Sequence, residues 1–158
     1  MPYLLIKTFF VFLLFVAIFS LIQFSSQNLA GADAYYHIKH SYIYQTEGLF
    51  QNFPWLQYTF PKETTDLYFL YHILLIPFTF GNLIFGAKLA AILFVSFIFT
   101  LFYWILKQYK IGYAFLWTIL LFCASGAFIF RMTLARSHLL SLLFLLASFY
   151  LISKKKYF

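Results

Sequence analysis

Three long, predominantly apolar runs, residues 3–24, 86–106 and 112–130, constrain this chain more than any motif in it. At about 1.5 Å per helical residue, roughly 20 residues cross the 30 Å hydrocarbon core of a bilayer. Inside that core every backbone amide has to be paired within its own segment, so runs of this length are expected to be helices. A fourth run, 139–152, has fourteen plainly apolar residues, and a full crossing draws it back to about Thr133. The expected fold is all-α and integral to the membrane. It has four transmembrane helices at about 3–24, 86–106, 112–130 and 133–152, in a single module covering 1–158. An external first loop, about 25–85, carries interfacial helices.

Composition agrees, with 64% apolar residues, 25% aromatic, 9% charged and a mean hydropathy of +0.86. A soluble core wrapped in a polar surface does not have these proportions. The net charge of +7 is not a nucleic-acid signal, because the basic residues sit singly or in short clusters at the ends of the apolar runs, where they orient a membrane protein. Nucleic acid is therefore not an expected partner, whereas membrane lipid is. The lone Cys123 lies in an apolar run and has no internal disulfide partner.

Ala30-Gly31-Ala32 has the spacing of a signal-peptide cleavage site. The preceding apolar stretch is longer than the usual 7–15 residues of a signal core, so an uncleaved anchor is expected. The segment 67–81, LYFLYHILLIPFTFG, contains His72 and Pro77 and is too short to cross without interruption. It reads as a helix lying in, or dipping into, the outer interface. That choice also satisfies the charge rule for cytoplasmic loops: Lys7, Lys107, Lys110, Lys154, Lys155 and Lys156 then share one side. Both termini are expected in the cytoplasm, and the protein in a plasma membrane, in all expectation a bacterial one.

The polar chemistry collects outside. The first loop holds all the acids, Asp33, Glu47, Glu63 and Asp66, with His37, His40 and His72, and the turn at 130–138 adds Arg131, Arg136 and His138. Ionisable groups drawn toward the membrane are costly and mark functional candidates. On a helix, Asp33, His37 and His40 fall at i, i+4 and i+7 and share a face. That face can hold a divalent cation such as Mg or Mn, with Asp33 and His37 as ligands, or offer Asp33 as a general base with His37 and His40 as substrate contacts. It can equally be a surface helix with an aromatic belt and solvated histidines. Glu63 and Asp66 either complete the site or cap the helix at 67, with Asp66 the better placed because His72 is near. Phe53 and Trp55 either stack on a sugar or lipid or anchor the membrane surface.

The stretch Asp33-Ala34-Tyr35-Tyr36-His37-Ile38-Lys39 resembles the D-x-[YW]-[YF]-[HN]-x-[RK] motif in the first external loop of oligosaccharyltransferase catalytic subunits. These belong to the GT-C class of polyprenyl-phosphate-sugar glycosyltransferases. The order of anchor, motif, long loop, basic cytoplasmic turn and second external turn is similar too. Arg131 resembles the arginine that begins that second turn. The runs YYHIK, FPWL and FLYHILLIPF are closer to bacterial membrane glycosyltransferases than to enzymes that glycosylate proteins. The resemblance implies a sugar donor on a polyprenyl phosphate and an active-centre role for Asp33, as metal ligand or catalytic base. Thr133 to Ser141 lacks the carboxylates that the class places there, which weighs against the metal. Arg131, Arg136 and His138 instead suit a donor phosphate. Since members of the class have many more spans, the chain is expected to be an amino-terminal module. It would act within a longer protein or with a second membrane chain, or as a non-catalytic subunit that binds lipid-linked sugar or a partner.

Overall fold

The computed structural model describes residues 2–49 and 66–154. Within them the chain is all-helical: α1 Pro2–Phe24, α2 Asp33–Glu47, α3 Phe69–Leu75 with a 3₁₀ turn Ile76–Phe78, α4 Leu83–Gln108, α5 Ala114–Phe122, α6 Gly126–Thr133 and α7 His138–Lys154. Glu63, Phe53, Trp55, Lys155 and Lys156 lie outside the described residues.

Two helices, α1 and α4, are long and apolar enough to cross a membrane. The centre is α4, against which α1, α2, α5, α6 and α7 all pack. It starts where the Asn82 side chain accepts a hydrogen bond from Phe85 N at 3.0 Å, satisfying one of the otherwise free amides of the first turn. An aromatic stack joins it to α1 and α5: Phe15 lies on Phe99 with centroids 4.5 Å apart, and Phe122 packs edge-on to Phe99 at 5.9 Å. Such pairs add to the area effect of burying rings.

The run 112–130, expected as one straight span, is instead broken into α5 and α6, which meet at 86°. Ser125 causes the restart by accepting from Phe128 N at 3.1 Å as a new N-cap. The pair makes a third crossing only if the two pieces count as one span. The last helix begins at His138 rather than Thr133 and has 17 residues, roughly 26 Å of helix, a little short of a full crossing.

Contacts at the helix ends fix how these pieces run. The far end of α1 meets the start of α4 through Phe24 and Phe85, 5.5 Å apart, and through Lys88 Nζ, which donates to the Ser26 carbonyl. The end of α6 joins the same pole, where Gln23 Nε2 donates to the Thr133 carbonyl at 2.6 Å. At the opposite pole Tyr150 of α7 packs on Trp104 at 4.6 Å and on Tyr109 at 6.3 Å. The α5–α6 pair and α7 thus each run between the poles that α1 and α4 join.

The segment 67–81 is helical and short, as expected. It ends in the 3₁₀ turn at Pro77 and folds against the start of α4. Gly86 permits this approach, because a Cβ there would lie 1.8 Å from the Phe78 carbonyl oxygen. Thr79 Oγ1 donates to Gln45 Oε1 at 2.6 Å, tying the turn to α2.

Candidate functional site

One face of α2 is buried and includes Ala34, His37, Ile38, His40, Ser41 and Tyr44. At its two edges the polar residues separate into two groups, and His37 belongs to both. The first group surrounds an open cavity of about 580 Å³ whose lining includes Asp33, His37, Tyr68, Arg131, Arg136 and His138. The second lies behind it, between α2 and α3, and consists of Asp66, His72, His40 and Tyr44.

In the cavity Arg136 Nη2 pairs with Asp33 Oδ2 at 2.5 Å. Both side chains are partly exposed, Asp33 at 54% and Arg136 at 39%, so solvent screens the pair and its net stabilisation is small. The Arg136 Nε is buried and has no hydrogen-bond partner among the described residues. His138 sits where its Nε2 is 2.8 Å from the Arg131 carbonyl, fixing the start of α7 beside the end of α6. Tyr68, which the sequence reading passed over, lines this cavity as well; its only signal was an aromatic at a helix start.

Behind the cavity the Asp66 carboxylate, 6% exposed, is the acceptor for three groups. Tyr44 Oη donates to Oδ2 at 2.7 Å, His72 Nδ1 lies 2.6 Å from the same oxygen, and Tyr68 N donates to Oδ1 at 2.9 Å. The last bond is a turn-forming side-chain contact of the kind Asp makes two residues on, so Asp66 also caps the approach to α3. Burial opposes its charge, yet the Tyr44 hydroxyl and then His72 hold the carboxyl below its ordinary range.

His72 is fully buried and its other nitrogen, Nε2, lies 2.8 Å from His37 Nδ1. The His40 ring stacks on the His72 ring at 4.3 Å and 14°. Burial, with His72 adding to it, pushes His37 down to about 4 against the pull of Asp33. Burial likewise lowers His40 and His72, with Asp66 opposing. Burial thus favours the neutral form of all three imidazoles.

The expectation that Asp33, His37 and His40 act from their shared face on one cation or substrate is corrected by this arrangement. They share the face, but Asp33 turns to Arg136, His37 to His72, and His40 packs on His72 away from the cavity lining. The donor set of Asp33 and His37 does not fit a divalent cation, since each has a different partner and arginines flank the single carboxylate of the described lining. His40, Asp66 and His72 offer ligand atoms within 4.8 Å of one another. A tetrahedral ion with bonds of about 2.1 Å holds its ligands roughly 3.4 Å apart, whereas His72 and Asp66 are at hydrogen-bonding distance. Two nearly parallel stacked rings also cannot both aim in-plane lone pairs at one ion. The geometry is that of a proton-filled network.

The fold and site together define an all-helical protein built on two membrane-length helices, with Asp33, Asp66 and its histidines gathered on and beside α2. No protein-family model matches the chain, and no curated protein or solved structure matches it.

Proposed function

We propose that the chain is the amino-terminal part of a membrane glycosyltransferase. The donor is a sugar carried on a polyprenyl phosphate, and it binds in the cavity between α2 and the α6–α7 turn. The observation that carries this reading is that two arginines, Arg131 and Arg136, line with Asp33 and His138 a cavity of about 580 Å³, a size typical of small-molecule sites. Arginines in a cavity wall suit a phosphate, because guanidinium groups bind phosphate oxygens through paired donors. Asp33 supplies a countercharge to Arg136 and is released to the acceptor side when a phosphate takes its place there. The resemblance around Asp33 supplies the sugar-phosphate chemistry.

In this reading the acceptor hydroxyl attacks the anomeric carbon, and the bond from that carbon to the phosphate oxygen breaks. The electron pair leaves on the polyprenyl phosphate, whose charge Arg131 and Arg136 stabilise as it develops. Asp33 orients the acceptor. The chain crosses a plasma membrane four times, with α5–α6 as a broken span, α7 as a short one, the cavity outside and both termini in the cytoplasm. A second membrane chain completes the enzyme.

One observation favours a second reading, a non-catalytic subunit that binds lipid-linked sugar: the Asp33 carboxylate is already engaged by Arg136. The test is the purified chain in nanodiscs, alone and with the membrane chains that co-purify with it, given a polyprenyl-phosphate hexose. Release of polyprenyl phosphate that Arg136→Ala abolishes supports the enzyme. Binding without release in every combination supports the subunit, and absence of binding rejects both.

A further inference from the structure

We infer that His37, positioned by His72 and Asp66, is the group that accepts the proton from the nucleophile in the cavity. The inference rests on the reading above and assigns a role within it that the sequence motif places on Asp33.

The argument is one of donors and acceptors. An ionised carboxylate only accepts, and Asp66 already accepts from Tyr44 Oη and Tyr68 N. The contact at 2.6 Å to His72 Nδ1 therefore requires a hydrogen on that nitrogen. His72 is fully buried, which favours its neutral form; with the hydrogen on Nδ1, its Nε2 then carries a lone pair. The 2.8 Å contact between that lone pair and His37 Nδ1 requires the hydrogen to sit on His37. Neutral His37 is left with a bare Nε2. His37 lines the cavity, and no partner for Nε2 is present among the described residues. The chain of bonds thus leaves one unprotonated nitrogen on a residue that lines the cavity, two links from the Asp66 carboxylate.

The same chain stabilises the product of proton transfer. When the acceptor O–H proton moves to His37 Nε2, the new imidazolium donates from Nδ1 to His72, and His72 donates to the Asp66 charge. The oxygen–carbon bond forms as the carbon–oxygen bond to the phosphate breaks, so one proton and one leaving group are accounted for. Burial makes His37 a weak base, which suits a proton that moves only as the hydroxyl becomes acidic during attack. Asp33, with more than half its side chain exposed and paired with Arg136, is left to orient the acceptor and to guard the phosphate site. His72 and Asp66 are positioning residues.

The experiment has two arms. In the first, the full chain with ¹⁵N-labelled histidine in nanodiscs is examined by long-range proton–nitrogen correlation at pH 7 without substrate. His37 and His72 are expected as Nδ1–H tautomers, and Asp66→Asn is expected to turn both to Nε2–H while Asp66→Glu restores the original pattern. An Nε2–H tautomer at His37 in the wild type overturns the assignment regardless of what the chain binds. In the second arm, the active assembly carrying His37→Gln is expected to keep its affinity for a polyprenyl-phosphate hexose and lose transfer at least 100-fold. Transfer within threefold of wild type overturns the inference. Failure of the wild-type assembly to bind the donor removes the glycosyltransfer reading itself and this role with it, a result separate from either of the others.

Discussion

Asp66→Asn should destabilise the protein by about 2 kcal/mol, and the corresponding change at Asp33 should not. The carboxamide fills the same space but replaces Oδ2, which accepts from both Tyr44 and His72, with either an uncharged oxygen or an N–H₂ donor. Hydrogen bonds to a charged group contribute about 1.5–3 kcal/mol and neutral ones about 0.5–1.5. Converting two of the former to the latter loses about 1 kcal/mol each. The network need not break, since His72 and His37 can both exchange tautomers. Asp66→Ala has no such recourse. It strands the fully buried His72 and the Tyr44 hydroxyl, each at about 1–3 kcal/mol, and should cost more than Asn. For a protein of this size 2 kcal/mol lowers the unfolding midpoint by about 4 to 8 °C, measured by tryptophan fluorescence on heating in detergent. Asp33 is largely exposed and paired across solvent, so Asp33→Asn should move the midpoint by less than 2 °C, a loss within the range of exposed ion pairs. An Asp66→Asn midpoint equal to wild type, or an Asp33→Asn loss as large as that of Asp66→Asn, would refute the view that Asp66 is the buried organising acid.

Stability should fall as the pH is lowered from 6.5 to about 4. His37 ordinarily titrates near 6.5 and is held at about 4 by burial and by His72, so in this window the unfolded chain binds the proton first. The stabilisation is complete above 6.5 and lost on the way down, by up to about 3 kcal/mol if the site stays dry and by less where the cavity hydrates the ring; His72 and His40 act in the same direction. A midpoint independent of pH between 7 and 4 would contradict this. Gly86→Ala should destabilise by about 1–3 kcal/mol, because its Cβ would meet the backbone oxygen of Phe78 and the 3₁₀ turn must lift from α4; an unchanged midpoint would show that the turn is free to move. In a Cys123→Ala background, Leu67→Cys should be labelled by an impermeant maleimide from outside intact cells and Lys154→Cys only after permeabilisation. Equal labelling from outside would overturn the four-crossing arrangement.

How much of this was legible in the sequence varies with the range of the interaction. α1 and α4 follow from local hydropathy, and their extents, 3–24 and 86–106, need only small adjustment. The break between α5 and α6 is a competition that hydropathy does not register, in which Ser125 caps a new helix inside an apolar run. Its signal was the Ser125-Gly126 pair, a helix-start and helix-breaking combination. The i, i+4, i+7 face of Asp33, His37 and His40 is present on α2, but its division between cavity and network depends on where Arg136 and His72 arrive. His72 lies 35 residues from His37, and how α3 docks on α2 is a tertiary fact with no periodic trace. Asp66 was singled out for its nearness to His72, while the Tyr44 contact that pins the same oxygen joins residues 22 apart and left no mark in either local pattern.

The central claim is that the cavity beside Arg136 takes the phosphate of a lipid-linked sugar. It is tested most directly by the affinity of the wild-type chain in nanodiscs for a polyprenyl-phosphate hexose, compared with Arg136→Ala and with the same polyprenol lacking phosphate. The account predicts saturable binding that weakens at least tenfold in Arg136→Ala and is absent for the polyprenol. Equal affinity of wild type and Arg136→Ala, or equal affinity for the lipid with and without its phosphate, would contradict it.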